Sequence, residues 1–242
     1  MYLAVCSVLL AAVPAVAAEN LDAAASSIRA AFDKHNTLKA QIGIAASLPI
    51  GTQRIAINGE GLLFYAKRDG AAKYRQQLTL QMPDPLRMEV GLQAVYDGSR
   101  LQVSQQILGQ TQTNDRNNAL AQGAFPPGGG LLMDLLEKEF DLKRLPDARI
   151  EGESVFVLEG MPKPNGAPAP YVRMLASVDQ ATGVLRELQL FESDGVVTVT
   201  ITQGKIELNP DLSKETFTLP PSGAPPAPIT IPTGAAGGGG NT

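Results

Sequence analysis

Tryptophan is absent from this chain, and cysteine and histidine occur once each, as Cys6 and His35. A lone cysteine cannot close a disulfide within the chain, and a lone histidine excludes the multi-histidine zinc sites. Aromatic residues make up only 5% of the sequence, so any core or cavity is lined mainly by aliphatic side chains and methionine. Clusters of lysine and arginine are also missing. The formal charge is −4 and the basic residues are scattered, which argues against a nucleic-acid partner, whose phosphates call for a basic patch. What is present, 44% hydrophobic and 18% charged residues over 242 positions, is ample for a globular core.

Leu3 to Ala18 carries no charge, contains the apolar run Leu9-Leu10-Ala11-Ala12-Val13 and ends in Ala15-Val16-Ala17. That is the pattern of an export signal with an A-x-A cleavage site, too short to span a bilayer, although no lysine or arginine precedes the apolar run. Cys6 follows Leu3-Ala4-Val5, a poor match to a lipid-attachment box because apolar sequence continues beyond it. It reads better as a small residue inside the leader. Residues 1–18 are therefore expected to be a signal peptide and residues 19–221 one domain. Residues 222–242, nearly all Pro, Gly, Ala and Thr, are expected to be a disordered tail.

After Asn20, a plausible N-cap, Leu21, Ala24, Ala25, Ile28, Ala31 and Phe32 recur at helical spacing, which predicts a first amphipathic helix. The period then changes to two. Ala40, Ile42, Ile44, Ala46 and Leu48 alternate with polar or small residues, and this predicts a half-buried strand over Lys39–Leu48. Further strands are expected at Gln53–Asn58, Gly61–Lys67 and Lys73–Met82, then from Leu86 through Met88, Val90 and Leu92. Asp97-Gly98 predicts a hairpin turn into a strand over Leu101–Ile107. Thr111 to Gly130 reads as a long irregular connection. Leu131–Leu142 reads as a second amphipathic helix, followed by a strand from Ser154 and a Pro-rich loop at Pro162–Pro170. Strands Tyr171–Val178, Val184–Glu192 and Val196–Gln203 form a second meander, with a closing edge at Phe217–Pro221. The sum is an α+β domain with a long antiparallel sheet, apolar on one face, and two short helices able to cover it.

Motifs that carry chemistry are scarce. His35 follows the first helix, where it reads as a C-terminal capping cation, and no G-x-S-x-G elbow accompanies it. Gly128-Gly129-Gly130 precedes a helix but lacks the Gly-Lys-Ser/Thr ending of a phosphate loop, and reads as a hinge. Asp134, Glu137, Glu139 and Asp141 look like a solvated helix face rather than a hydrolytic acid pair. Arg68 stands out. On an extended strand it shares a face with Leu62, Phe64 and Ala66, so a guanidinium ends an apolar row. It is either a solvent-facing strand end or a latch bonding the exposed carbonyls of a covering helix.

An exported N-terminus, the first helix, Leu62-Leu63-Phe64-Tyr65-Ala66-Lys67-Arg68, Asp97-Gly98-Ser99-Arg100-Leu101, Phe156-Val157-Leu158 and the ending Phe217-Thr218-Leu219-Pro220-Pro221-Ser222-Gly223 occur in that order. In this the chain resembles the periplasmic outer-membrane lipoprotein carriers and their Lol-type relatives. The resemblance implies an incomplete β-barrel, a strongly curved antiparallel sheet around an apolar cavity with short helices as its lid. It also implies carriage of acyl chains across the periplasm, with Arg68 on the position that bonds the lid's backbone. The proline that usually follows that arginine is Asp69 here, and the aromatics beyond it are Ala71, Ala72 and Lys73.

The expectation is an exported, non-enzymatic periplasmic carrier without a cofactor or metal. Its partners would be the acyl chains of lipoproteins or lipid, with membrane-bound donor and acceptor proteins, and the carrier itself a monomer. The acyl chain would lie on Ile42, Ile44, Phe64, Leu78, Leu80, Leu86, Met88 and Val103, beneath helices contributing Leu132 and Leu135, with Arg68 as the latch. The alternative is an interaction or sensor module that uses the same sheet to bind a protein partner.

Overall fold

The computed structural model describes residues 20–50, 53–68, 70–84, 87–108, 110–115, 125–164, 171–193 and 195–218. The expected leader, with Cys6, and the expected tail lie outside the described residues, as does Leu86. Asn20 caps helix α1 (Leu21–Phe32) by accepting the Ala23 N–H at 3.2 Å, and Ala24, Ala25, Ile28, Ala31 and Phe32 form its buried stripe. Strands β1 (Thr37–Ile50), β2 (Gln53–Arg68), β3 (Ala71–Met82), β4 (Met88–Tyr96), β5 (Leu101–Ile107) and β6 (Gln110–Asp115) follow. Helix α2 (Gly129–Glu139) leads into β7 (Phe140–Ile150), β8 (Glu153–Pro162), β9 (Arg173–Asp179), β10 (Leu185–Phe191) and β11 (Val197–Leu208), and a 3₁₀ turn, Lys214–Phe217, comes after them.

All neighbours pair antiparallel in one 11-stranded sheet of order β6-β5-β4-β3-β2-β1-β11-β10-β9-β8-β7. The chain builds outward from β1 to one edge, crosses through α2 to the opposite edge, and returns strand by strand until β11 pairs with β1. Laid flat, such a sheet would be ~50 Å wide at ~4.8 Å per strand. Helices of 12 and 11 residues, each under ~20 Å long, could not cover it. The sheet instead curls around one continuous hydrophobic core, and among the described residues its edges β6 and β7 do not pair with each other, so the barrel is incomplete. Gly61 marks a tight corner. A Cβ there would stand 1.8 Å from the Gln77 carbonyl oxygen on β3, so only glycine permits the approach.

Several elements differ from the sequence expectation. Gln53–Asn58 and Gly61–Lys67 are one strand, because the ladders to β1 and β3 run on unbroken through Gly59 and Gly61. The second helix ends at Glu139 rather than Leu142, since Phe140 is already extended (φ −130°, ψ 148°) and starts β7, an unforeseen strand. The helical spacing ending at Phe140 masked the period of two in Phe140, Leu142 and Arg144. Strand β6 was likewise unforeseen within the supposed connection, because Gln110–Asp115 has no apolar alternation; the β5 ladder, not burial, holds it extended. Phe217 belongs to a 3₁₀ turn instead of a closing strand, and residues 219–221 are outside the described residues.

Candidate functional site

Residues directly opposite one another in a sheet share a face. From β1 outward the pairings give four parallel rows. Leu38, Tyr65, Tyr74, Tyr96 and Leu101 form the row nearest α1. Ala40, Leu63, Gln76, Ala94 and Val103 form the next, then Ile42, Gly61, Leu78, Leu92 and Gln105, then Ile44, Gly59, Leu80, Val90 and Ile107. On the other side of β1 the last row continues as Ile201, Leu188, Ala176 and Leu158. These rows line the concave face, with the two helices packed on it.

Burial falls along the rows. Leu38, Leu63, Ile42 and Leu78 are sealed, whereas Ile44, Leu80, Met88 and Ile107 are half-buried toward the hairpin ends. Ile201, Leu188, Ala176 and Leu158 are fully sealed, so the aliphatic surface is most open in the half built by β1 to β5.

Helix α2 starts at the sealed end and reaches the other, where the Lys163 N–H donates to the Glu139 carbonyl at 2.9 Å. Arg29 of α1 bonds Asp134 and Glu137 of α2, each at 2.9 Å, so these carboxylates clasp the helix pair rather than merely face water. The ring of Phe32 meets that of Tyr65 edge-on at 4.8 Å between centroids. Gly183 (φ +68°) lets the β9–β10 turn press on α1, where a Cβ would stand 2.3 Å from the Ile28 carbonyl oxygen. The Phe125 N–H donates to Oε1 of Gln76 at 3.0 Å, and Gly128 bridges to Val184, so residues 125–128 lie ordered against the core. Burial, and next the nearby Asp33 carboxylate, pushes the Tyr65 phenol up to about 12. Burial raises Tyr74 further. His35 does not cap α1 through its ring. Its backbone N–H reaches Phe32 O at 3.0 Å, and neither buried ring nitrogen has a partner among the described residues.

The expected cavity residues divide. Ile42, Ile44, Leu78, Leu80, Met88 and Val103 share the concave face, Leu132 is sealed beneath α2 and Leu135 is half-buried. Phe64 and Arg68 do not join them. Pairing of Leu38 with Tyr65 and of Ala40 with Leu63 turns the odd positions of β2 inward, so Leu62, Phe64, Ala66 and Arg68 face outward.

On that outer face Arg68 donates to the Leu212 carbonyl and sits 6.0 Å from the Phe217 ring centroid. Arg75, whose guanidinium burial holds below the ordinary arginine range, donates to the Thr216 carbonyl at 3.3 Å and to Gln93 at 3.1 Å. The two arginines thus bind residues 212–217 as a strap across the back of β2 and β3. An open cleft of about 530 Å³ lies beside it, lined by Arg68, Leu212, Ser213, Lys214 and Glu215. The expected arginine–backbone latch is therefore corrected in place. It holds an outer strap, and neither helix is its partner among the described bonds.

Sequence reasoning missed Leu63 and Tyr65 because both parities of β2 are apolar. Only the register with β1 separates them.

No protein-family model matches the chain, and no curated protein does. Among solved structures, a chain of the Pseudomonas aeruginosa MucA/MucB complex is 16% identical with a TM-score of 0.39, over 83% of this chain and 59% of that one. With MucB itself the shared part is 63% of that chain, so this chain spans about three fifths of the MucB structures. An outer membrane lipoprotein-sorting protein domain from Vibrio parahaemolyticus is 10% identical with a TM-score of 0.42, over 82% of this chain and 97% of that one. A LolA superfamily protein from Nitrosomonas europaea is 14% identical with a TM-score of 0.30, over 81% and 98%.

Proposed function

We propose that the protein is a non-enzymatic carrier that takes acyl chains of lipids or lipoproteins on its concave face, outside the cytoplasm, and yields them to a membrane-bound acceptor. One observation carries this reading. The aliphatic rows of the core continue past the sealed region into half-buried Ile44, Leu80, Met88 and Ile107, a water-accessible apolar surface inside a curved sheet. An acyl chain of about sixteen carbons buried there gains up to ~13 kcal/mol at ~0.8 kcal/mol per methylene, before ordering costs. A surface of aliphatics and methionine, without stacked rings, suits flexible chains of varied length.

Extraction of the exported protein followed by mass spectrometry identifies any bound lipid. Titration with a fluorescent fatty acid then tests the face. Ile44→Asp puts a charge on the concave side and is expected to weaken the probe by about tenfold or more, whereas Ala45→Asp, one residue along on the outer face, leaves it unchanged. Equal effects of the two, or no uptake by the parent, defeat the reading.

A second reading, a module that binds an extended protein segment, draws on strand β6. Among the described residues it is an edge strand, and Gln110-Thr111-Gln112-Thr113-Asn114-Asp115 contains no proline or lysine to deter strand addition. A saturable protein complex that survives both delipidation and Ile44→Asp favours it over carriage.

A further inference from the structure

The turns at the open end of the strands carry apolar side chains that the fold leaves in water. Leu108 in the β5–β6 turn is 82% exposed, Met161 near the end of β8 48%, Val172 before β9 46%, and Val196 and Val197 at the β10–β11 turn 45% and 37%. The pairs Ile107 with Gln110, Gly160 with Met174, and Phe191 with Val197 place all of them at the same end as the Met82–Met88 turn, where α2 also ends, the Lys163 N–H donating to the Glu139 carbonyl at 2.9 Å. Leu208, 37% exposed, is the described large apolar residue left at the other end.

Leu108 is also strained. It occupies the first loop position of a two-residue hairpin with φ +50°, where glycine or asparagine is the usual occupant. A leucine held in a left-handed conformation, almost wholly in water, has no use in the fold itself.

We propose that this rim seats in the interface of a phospholipid bilayer, so that an acyl chain passes between membrane and concave face without crossing water. The inference rests on the carrier reading. The apolar residues are spread over separate turns around an opening rather than along one strand, a distribution that suits a fluid interface. The rim arginines are neutralised by carboxylates: Arg54 pairs with Glu192 at 3.1 Å, Arg173 with Glu159 at 2.7 Å, and Arg87 with Asp84. Lys163, at the same end, donates its ammonium to the Glu137 carbonyl, so the attraction expected is mainly apolar and only weakly dependent on anionic lipid.

The test is flotation of the full chain with phosphatidylcholine vesicles, at low and at high salt. The parent is expected to float equally in both. Leu108→Asp lowers the partition coefficient by about tenfold or more, Leu208→Asp leaves it unchanged, and both keep the parent's unfolding midpoint. A parent that stays in solution, or equal loss in the two variants, overturns the proposal. Self-association that disappears in Leu108→Asp without any vesicle binding assigns the rim to a second copy of the chain and overturns it equally. A soluble acyl probe separates the two readings. Probe uptake without flotation removes the membrane seat alone, and flotation without probe uptake leaves the seat standing while the carrier reading falls.

Discussion

Tyr65 packs on the concave face against Phe32, and burial together with the Asp33 carboxylate pushes its phenol up to about 12. In the unfolded chain a tyrosine ionises near pH ~10. Below that pH both states keep the proton and the group has no influence. Between ~10 and ~12 the unfolded state releases the proton that the folded state retains, so stability falls as pH rises, by at most ~1.4 kcal/mol per unit and by less where solvent reaches the hydroxyl. Tyr74 adds to the same slope, its phenol being raised by burial and then by Tyr96. Tyr65→Phe is therefore expected to flatten the loss of urea stability between about pH 9 and about pH 11.5. A variant whose alkaline loss equals the parent's would show that the phenol is not held neutral by its surroundings. Tyr65 also marks the limit of residue-level reading. Its neighbour Phe64 is as apolar, and nothing local says which of the two turns inward.

Among the elements, α1 and the strand series were legible because their periods are strong and uninterrupted, as in Leu21–Phe32 and in Lys73–Met82. Strand β6 was not, since an all-polar strand has no period in hydrophobicity, and β7 was hidden because Phe140 satisfies both a helical and an extended spacing. The strap of residues 212–217 was not legible either. Its backbone carbonyls are what Arg68 and Arg75 recognise, and a carbonyl has no sequence signature. Arg68→Leu removes a charge-assisted bond and leaves the Leu212 carbonyl without it, at an expected cost of ~1.5–3 kcal/mol. Hydrogen exchange of the amides at 212–217 reads this directly: faster exchange confined to the strap is the expected result, and unchanged protection would mean that other contacts hold it.

At the scale of the whole molecule, the curved sheet is a container whose stability is linked to its contents. A ligand that binds only the folded state adds about 2.7 kcal/mol at a hundred times its dissociation constant. Saturation with a fatty acid is therefore expected to raise the thermal midpoint of the parent, and the gain should vanish in Ile44→Asp. A probe that binds without shifting the midpoint of the parent would place it on the unfolded chain as well, or on a surface unconnected with folding.

The sequence by itself determined the strand series and the first helix, because the periods of two and of 3.6 are properties of neighbouring residues along one chain. Tertiary structure alone decided which side of β2 is the inside. That choice depends on the β1–β2 register, and Leu62 and Ala66 are buried although they face outward. The close approach of neighbouring strands was also settled there. Gly61 lets β2 and β3 approach too closely for any side chain, within a row whose other members are Ile42, Leu78 and Leu92.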